Sequence, residues 1–145
     1  VIEFIDHPEM TKASRNFAET VGYSGFGSID FVIDGVSGQA RAIEFNARTT
    51  ILGHMGEMVG ADMPLALRSA LEGRTEPPVS NDAGRIVTLF PREWLRDPES
   101  ANLRDHIVDF PWDDPELADV LLSYAQNMAG ENVAPVDLSV FRRPD

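Results

Sequence analysis

The pattern of apolar and polar positions changes period several times along the chain, and each change predicts an element. Val1 to Ile5 alternates as a strand does. Asp6-His7-Pro8-Glu9 then has the form of a helix start, with Asp6 as N-cap, Pro in the first turn and an acid three residues on. Met10, Ala13, Phe17, Ala18 and Val21 recur at steps of three and four, and Gly22 is placed to end the helix in the left-handed conformation. From Ser28 to Asn46, β-branched and aromatic residues fill two arms around Asp34, Gly35, Ser37 and Gly38, which predicts a hairpin. His54 to Gly73 is helical in pattern, interrupted near Gly60 and re-capped by Asp62 with Pro64 in the first turn. Leu65, Leu67, Ala70 and Leu71 dominate its second part, and Met55, Met58 and Met63 read as core gap-fillers.

Beyond a break at 74–83, where Pro77-Pro78 and Ser80-Asn81-Asp82 stop a helix, the chain predicts smaller pieces. These are a strand at 84–90, a helical turn at 91–95 and a strand at 107–110. A helix follows from Asp114 to Gly130 with Leu117, Val120, Leu121, Tyr124 and Met128 on one face. Val136, Leu138 and Val140 alternate as a last strand, and 141–145 reads as a tail. The expected class is α+β, an antiparallel sheet flanked by helices. Residues 1–73 form one subdomain, 74–83 a linker, and 84–145 an appended α/β segment of the same domain.

Composition narrows the partners. A length of 145 residues suits one domain that buries roughly two thirds of its unfolded surface. With no Cys there is no disulfide framework and no thiolate chemistry. No apolar run is long enough to cross a bilayer and no secretory leader is visible, so a soluble, cytoplasmic protein is expected. The formal charge of −12 repels nucleic acid and anionic membranes. Lys12 is the single lysine, and the chain starts at Val1 on what reads as the second half of a strand. It is therefore expected to be a carboxy-terminal piece of a longer protein.

The hairpin carries the candidate chemistry. If it is centred on Ser37, Asp30 lies across from Glu44 and Ser28 across from Asn46. Ile29, Phe31, Ile33, Ile43 and Phe45 then form a core face, and Ser28, Asp30, Val32, Glu44 and Asn46 the other. Two carboxylates directly opposite each other repel unless something positive lies between them. A divalent cation would suffice, because carboxylates and an amide carbonyl are hard oxygen ligands of the kind that hold Mg²⁺ with water and phosphate oxygens. Arg48, further along that face, suits a phosphate or carboxylate bidentately. The other reading is a solvated acidic face on which Arg48 neutralises Glu44 in a surface ion pair of little worth.

Gly25-Phe-Gly-Ser-Ile-Asp30-Phe-Val-Ile-Asp34 followed by Ala42-Ile-Glu44-Phe-Asn46-Ala-Arg48 resembles the metal-binding end of the ATP-grasp fold. The resemblance implies that Asp30, Glu44 and Asn46 hold the Mg²⁺ ions, or Mn²⁺, that bridge ATP phosphates. It implies that Val32 packs on the adenine and that Arg48 lies near the phosphates or substrate, as a nucleotide-binding and catalytic residue. The continuation to Arg48 is similar to the biotin carboxylase and carbamoyl phosphate synthetase branch; the D-alanine ligase branch has Pro-Gly after the Asn. Strand, helix and hairpin is also the order in which that family reaches its metal site. The lobes that carry phosphate lysines and the adenine hinge are absent. The resemblance thus implies the carboxy-terminal lobe of an ATP-dependent carboxylate ligase, with ATP and a small carboxylate as partners of the full-length parent and no turnover by this piece alone.

Other candidates read as structural. Gly22, Gly25 and Gly27 precede a strand and not a helix, so they form no dinucleotide fingerprint, and no Gly-Lys-Ser or Gly-Lys-Thr of a Walker loop occurs. Gly25 and Gly27 instead suit a close backbone approach into the hairpin. His7 reads as an exposed loop residue; Thr49, Thr50 and His54 lie just beyond the metal edge, where a loop could touch substrate, and helix-start hydrogen bonding is the favoured role for His54. Trp94 and Trp112 suit packing between helix and sheet, while Asp109, Asp113, Asp114 and Glu116 suit N-capping and a solvated edge. A second function class stays open: a non-catalytic binding module, or a homodimer formed through exposed strands.

Overall fold

The computed structural model describes residues 1–74, 83–130 and 133–144. The predicted break at 74–83 lies almost wholly outside the described residues. The chain is a small α+β protein that divides into two units: Ile5–Ala83, and Val1–Phe4 together with Gly84–Asp145.

In the first unit, α1 spans Pro8–Val21. Its N-cap is His7, not Asp6, and no side chain caps it, because Pro8 occupies the first helical position and the chain enters extended at His7. His7 is half-buried rather than exposed. Gly22 closes the helix at φ 66°, with the Tyr23 and Gly22 amides donating to the Ala18 and Glu19 carbonyls. Strands β2 (Ser28–Ile33) and β3 (Ala40–Asn46) form the hairpin. The Asp34 carboxylate ties its turn by accepting from the Val36 and Ser37 amides and the Ser37 hydroxyl, which holds its pKa below the ordinary value. A 3-10 helix, Gly53–Val59, precedes α2, Met63–Leu71. As predicted, the helical pattern breaks at Gly60, and the Asp62 side chain caps α2 by accepting from the Leu65 amide. Gly56 has no alternative residue in this geometry, since a Cβ there would lie 2.1 Å from the Ala61 carbonyl oxygen. Met55 is fully buried, but Met63 and Leu65 are exposed and so fill no core.

In the second unit, β1 (Ile2–Glu3) pairs antiparallel with β4 (Ile86–Leu89), and β4 pairs parallel with β5 (Ile107–Asp109). Helices α3 (Arg92–Arg96), α4 (Asn102–Asp105) and α5 (Pro115–Ala129) complete it. Its core joins Phe90, Trp94, Leu103, Val108, Phe110, Ala125 and Phe141. Phe90 packs on Phe110 and Phe141 at ring separations of 5.4 and 5.5 Å. Trp94 is buried and Trp112 is half-buried, with its indole nitrogen donating to the Val108 carbonyl, in keeping with a packing role.

Three expectations for this unit fail. The face of α5 turned to the core is Ala118, Leu121, Leu122, Ala125 and Ala129, whereas Leu117, Val120, Tyr124 and Met128 are each more than half exposed. Residues 138–140 form a 3-10 turn and not a strand, because Asp137 accepts from both the amide and the hydroxyl of Ser139. Nor is 141–144 a free tail. Phe141 is in the core, Arg142 exchanges backbone hydrogen bonds with Val108 and Leu103, and the Arg143 guanidinium lies 4.4 Å from the Trp112 ring centre.

Candidate functional site

The hairpin register puts Ser28 opposite Asn46, Ile29 opposite Phe45 and Asp30 opposite Glu44, as expected. It then slips. Between Asp30 and Phe31 the pairing shifts by one, so Phe31 faces Ala42, Val32 faces Arg41 and Ile33 faces Ala40. Ile43 is the extra residue of a β-bulge, a device that bends a strand and re-aims its side chains. Ile43 is accordingly 65% exposed, and Ile33 is exposed as well, so neither belongs to the buried face predicted for them.

The bulge rewrites which residues share a face. Asp30, Val32, Glu44 and Asn46 keep the shared face that the sequence predicts, since paired residues point to the same side. Arg41, which an unbroken register would place behind the sheet, joins them opposite Val32. Sequence reasoning missed Arg41, and the chain offers no Gly or Pro there to signal a bulge. The hairpin meets α1 around a cleft of about 220 Å³ lined by Phe17, Ile29, Phe31, Ala42 and Phe45, and also by Ala13, Ile43 and Glu44. Phe45 is clasped there by Phe17 and Tyr23 at ring separations of 4.8 and 4.9 Å. Gly27 is required beside it, because a Cβ would come 2.9 Å from the Phe45 ring.

Asp30 and Glu44 are exposed, and no ion pair engages either one among the described residues. Water screens their repulsion to about 1 kcal/mol, so solvent tolerates the pair and a cation would add to it rather than rescue it. Asn46 is half-buried at the end of β3. The Ser28 hydroxyl oxygen, opposite Asn46, is buried and has no hydrogen-bond partner in the protein. A buried polar atom without a partner is uncommon. Two carboxylates, an amide carbonyl and a hydroxyl fit a small divalent cation that keeps part of its water shell. Among the described residues no group of three His, Cys, Asp or Glu is gathered, so the carboxylates of this hairpin would need Asn46 or solvent to complete a shell.

Val32 is 53% exposed, open to a flat ligand. Arg48 lies in the bend after β3 and donates to the Thr49 carbonyl at 3.2 Å, and no ion pair joins it to Glu44 among the described residues. Thr50 is half-buried, its hydroxyl accepting from the Leu52 amide, while Thr49, Ile51, Leu52 and His54 are exposed.

The other concentrated charge is structural. Glu93 is 7% exposed and accepts from the Arg96 guanidinium, the Ser100 hydroxyl at 2.6 Å and the Asn102 amide at 2.7 Å. These donors hold its pKa far below the carboxylate range, Arg96 first. The carboxylate thereby pins α3 to the start of α4. Asp114 likewise caps α5 through the Leu117 amide, the capping role expected within the acidic cluster. No helix among the described residues is long and apolar enough to cross a membrane. Compared with known proteins, the chain matches no family model, no curated protein and no solved structure.

Proposed function

We propose that the hairpin is the metal-binding edge of an ATP-grasp-type ligase, and that this chain is the carboxy-terminal part of such an enzyme, cytoplasmic and inactive alone. One observation carries the reading: Asp30 lies directly opposite Glu44, one step from the Ser28 and Asn46 pair, on an exposed face. Phosphoryl transfer asks little covalent chemistry of a protein and much neutralisation of charge, which is what such a face can supply. Bound there, Mg-ATP would supply the γ-phosphoryl group that activates a carboxylate as an acyl phosphate for capture by an amine or other nucleophile. Asp30, Glu44 and Asn46 would hold the cation, Val32 would offer an apolar seat to the base, and Arg48 would exchange its bond to Thr49 for a phosphate oxygen.

The test is Mn²⁺ titration of the chain followed by paramagnetic broadening of backbone resonances, repeated on Asp30→Asn and Glu44→Gln. Broadening should centre on Asp30, Glu44 and Asn46 and weaken about tenfold or more in both variants. Diffuse broadening over the acidic surface, unchanged in the variants, would remove the proposal.

The second reading is a binding or dimerisation module without catalysis. What favours it is the apolar stripe Leu117, Val120, Tyr124 and Met128 on α5, each residue more than half exposed. Sedimentation of the chain across concentrations separates the two readings when combined with the Mn²⁺ result.

A further inference from the structure

We infer that a second copy of this chain docks on the apolar stripe of α5, and that the two helices pack antiparallel about a two-fold axis beside Leu122. The inference deepens the dimerisation reading given above, on whose exposed stripe it rests. Leu117, Val120, Tyr124 and Met128 are 52, 66, 52 and 61% exposed, on a helix of 15 residues. At about 100° per residue they share a strip roughly 80° wide that runs along the helix for about 16 Å. The helix meets its own core through Ala118, Leu122 and Ala125, which leaves the stripe outside that core.

Charge and self-complementarity name the occupant. Glu116 and Asp119 are the only charged residues of α5, and both lie in its first half. On the helical projection Asp119 is on the far side from the stripe and Glu116 about a quarter turn away. A charged segment of either sign finds no counter-charge on this strip. Packed in parallel, two copies would set Glu116 against Glu116. Packed antiparallel, each acidic first turn meets the uncharged last turns of the other copy, and the helix macrodipoles run opposed. The midpoint of Val120 and Tyr124 is Leu122, and the midpoint of Leu117 and Met128 falls just beyond it. One two-fold axis therefore sets Val120 against Tyr124 of the second copy and Leu117 against its Met128, the reciprocal pairing that an isologous interface demands. Half-exposed side chains of this size offer on the order of 100 Å² each, so roughly 800 Å² comes together from the two copies, at the low end of specific interfaces. The dimer is accordingly weak, and it forms against the mutual repulsion of two chains of −12.

Sedimentation equilibrium of the chain from about 10 μM to about 1 mM should show a reversible dimer. Val120→Glu and Tyr124→Ser should each weaken it about tenfold or more and leave the denaturant midpoint close to that of the parent, because both positions face water. Val36→Ser, which removes a fully exposed apolar side chain from the hairpin turn, should leave the dimer unchanged. Raising the salt concentration should tighten it by screening the repulsion between copies. The chain has no Cys, so introduced thiols can report direction. A short thiol cross-linker should join Glu116→Cys chains to Asn127→Cys chains in a mixture far more readily than it joins either to itself. Cross-linking of Glu116→Cys with itself in place of the mixture would mean a parallel pair and overturn the inference, as would a dimer that salt dissolves. A dimer that neither stripe variant weakens uses another surface, so the inference fails while the dimerisation reading stands. A chain that stays monomeric throughout removes both.

Discussion

The two units divide labour differently. The unit of α3 to α5 buries an aromatic cluster in which Phe90, Phe110 and Phe141 touch one another, while the hairpin unit buries few side chains fully, Met55 and Val59 among them. Glu93 of the aromatic unit is engaged by internal hydrogen bonds, whereas Asp30 and Glu44 of the hairpin stay exposed. The proposed chemistry would thus draw on a different part of the sequence from the aromatic core. A carboxylate surrounded by donors is fixed, whereas one facing water keeps its lone pairs open to solvent.

The comparison is broken most severely at Trp94. Trp94→Ala should cost about 3–5 kcal/mol, read by denaturant unfolding, because it opens a cavity beneath the aromatic cluster. A cost under about 1 kcal/mol would mean that the cluster does not anchor its unit.

Glu93 sharpens the contrast next. Its folded pKa is depressed, so its contribution is present above the unfolded value near 4.5 and is lost as pH falls below it toward the folded value. Arg96, the first of its donors, is 60% exposed, so its share is reduced by solvent screening, and the sheltered Ser100 and Asn102 hydrogen bonds add to it. Glu93→Gln should cost about 1–3 kcal/mol at pH 7 and flatten the fall in melting temperature between pH 5 and 3. An equally steep acid limb in the variant would assign that fall to other carboxylates.

The smallest effect is the most diagnostic of the bulge. Ile43→Ser should change stability by less than about 0.5 kcal/mol, because Ile43 already faces water. An unbulged register would bury that side chain and raise the cost to about 1.5–3 kcal/mol.

Much of this was legible in the sequence where local chemistry decides. The hairpin arms, the helix ends at Gly22 and Asp62, and the Asp30 to Glu44 pairing follow from turn residues, caps and strand propensity. The bulge was not, since Ala42 and Ile43 fit either register and only packing around Phe17 and Phe45 selects one. On α5 two stripes share the helical period, and bulk suggested the wrong one. The aromatic cluster already fills the space, so the helix approaches through Ala118, Ala125 and Ala129 and leaves its larger residues outside. Alternation at 136–140 misled for a related reason: an Asp-Leu-Ser turn satisfies the same pattern as a strand. The ATP-grasp reading itself rests on the motif and on the register of three residues, and nothing in the second unit adds to it.

The sheet of the second unit joins Glu3 to Ile86, and its core waits for Phe141. The hairpin unit, by contrast, is continuous in sequence and pairs strands that lie close together along the chain. It therefore has the contact pattern of a fast folder, and its folding shortens the loop that β1 must close to reach β4. Order of assembly follows: the segment bearing Asp30 and Glu44 can take shape before the unit built around the aromatic cluster is sealed. A destabilised hairpin would then slow closure of a sheet in which it takes no part.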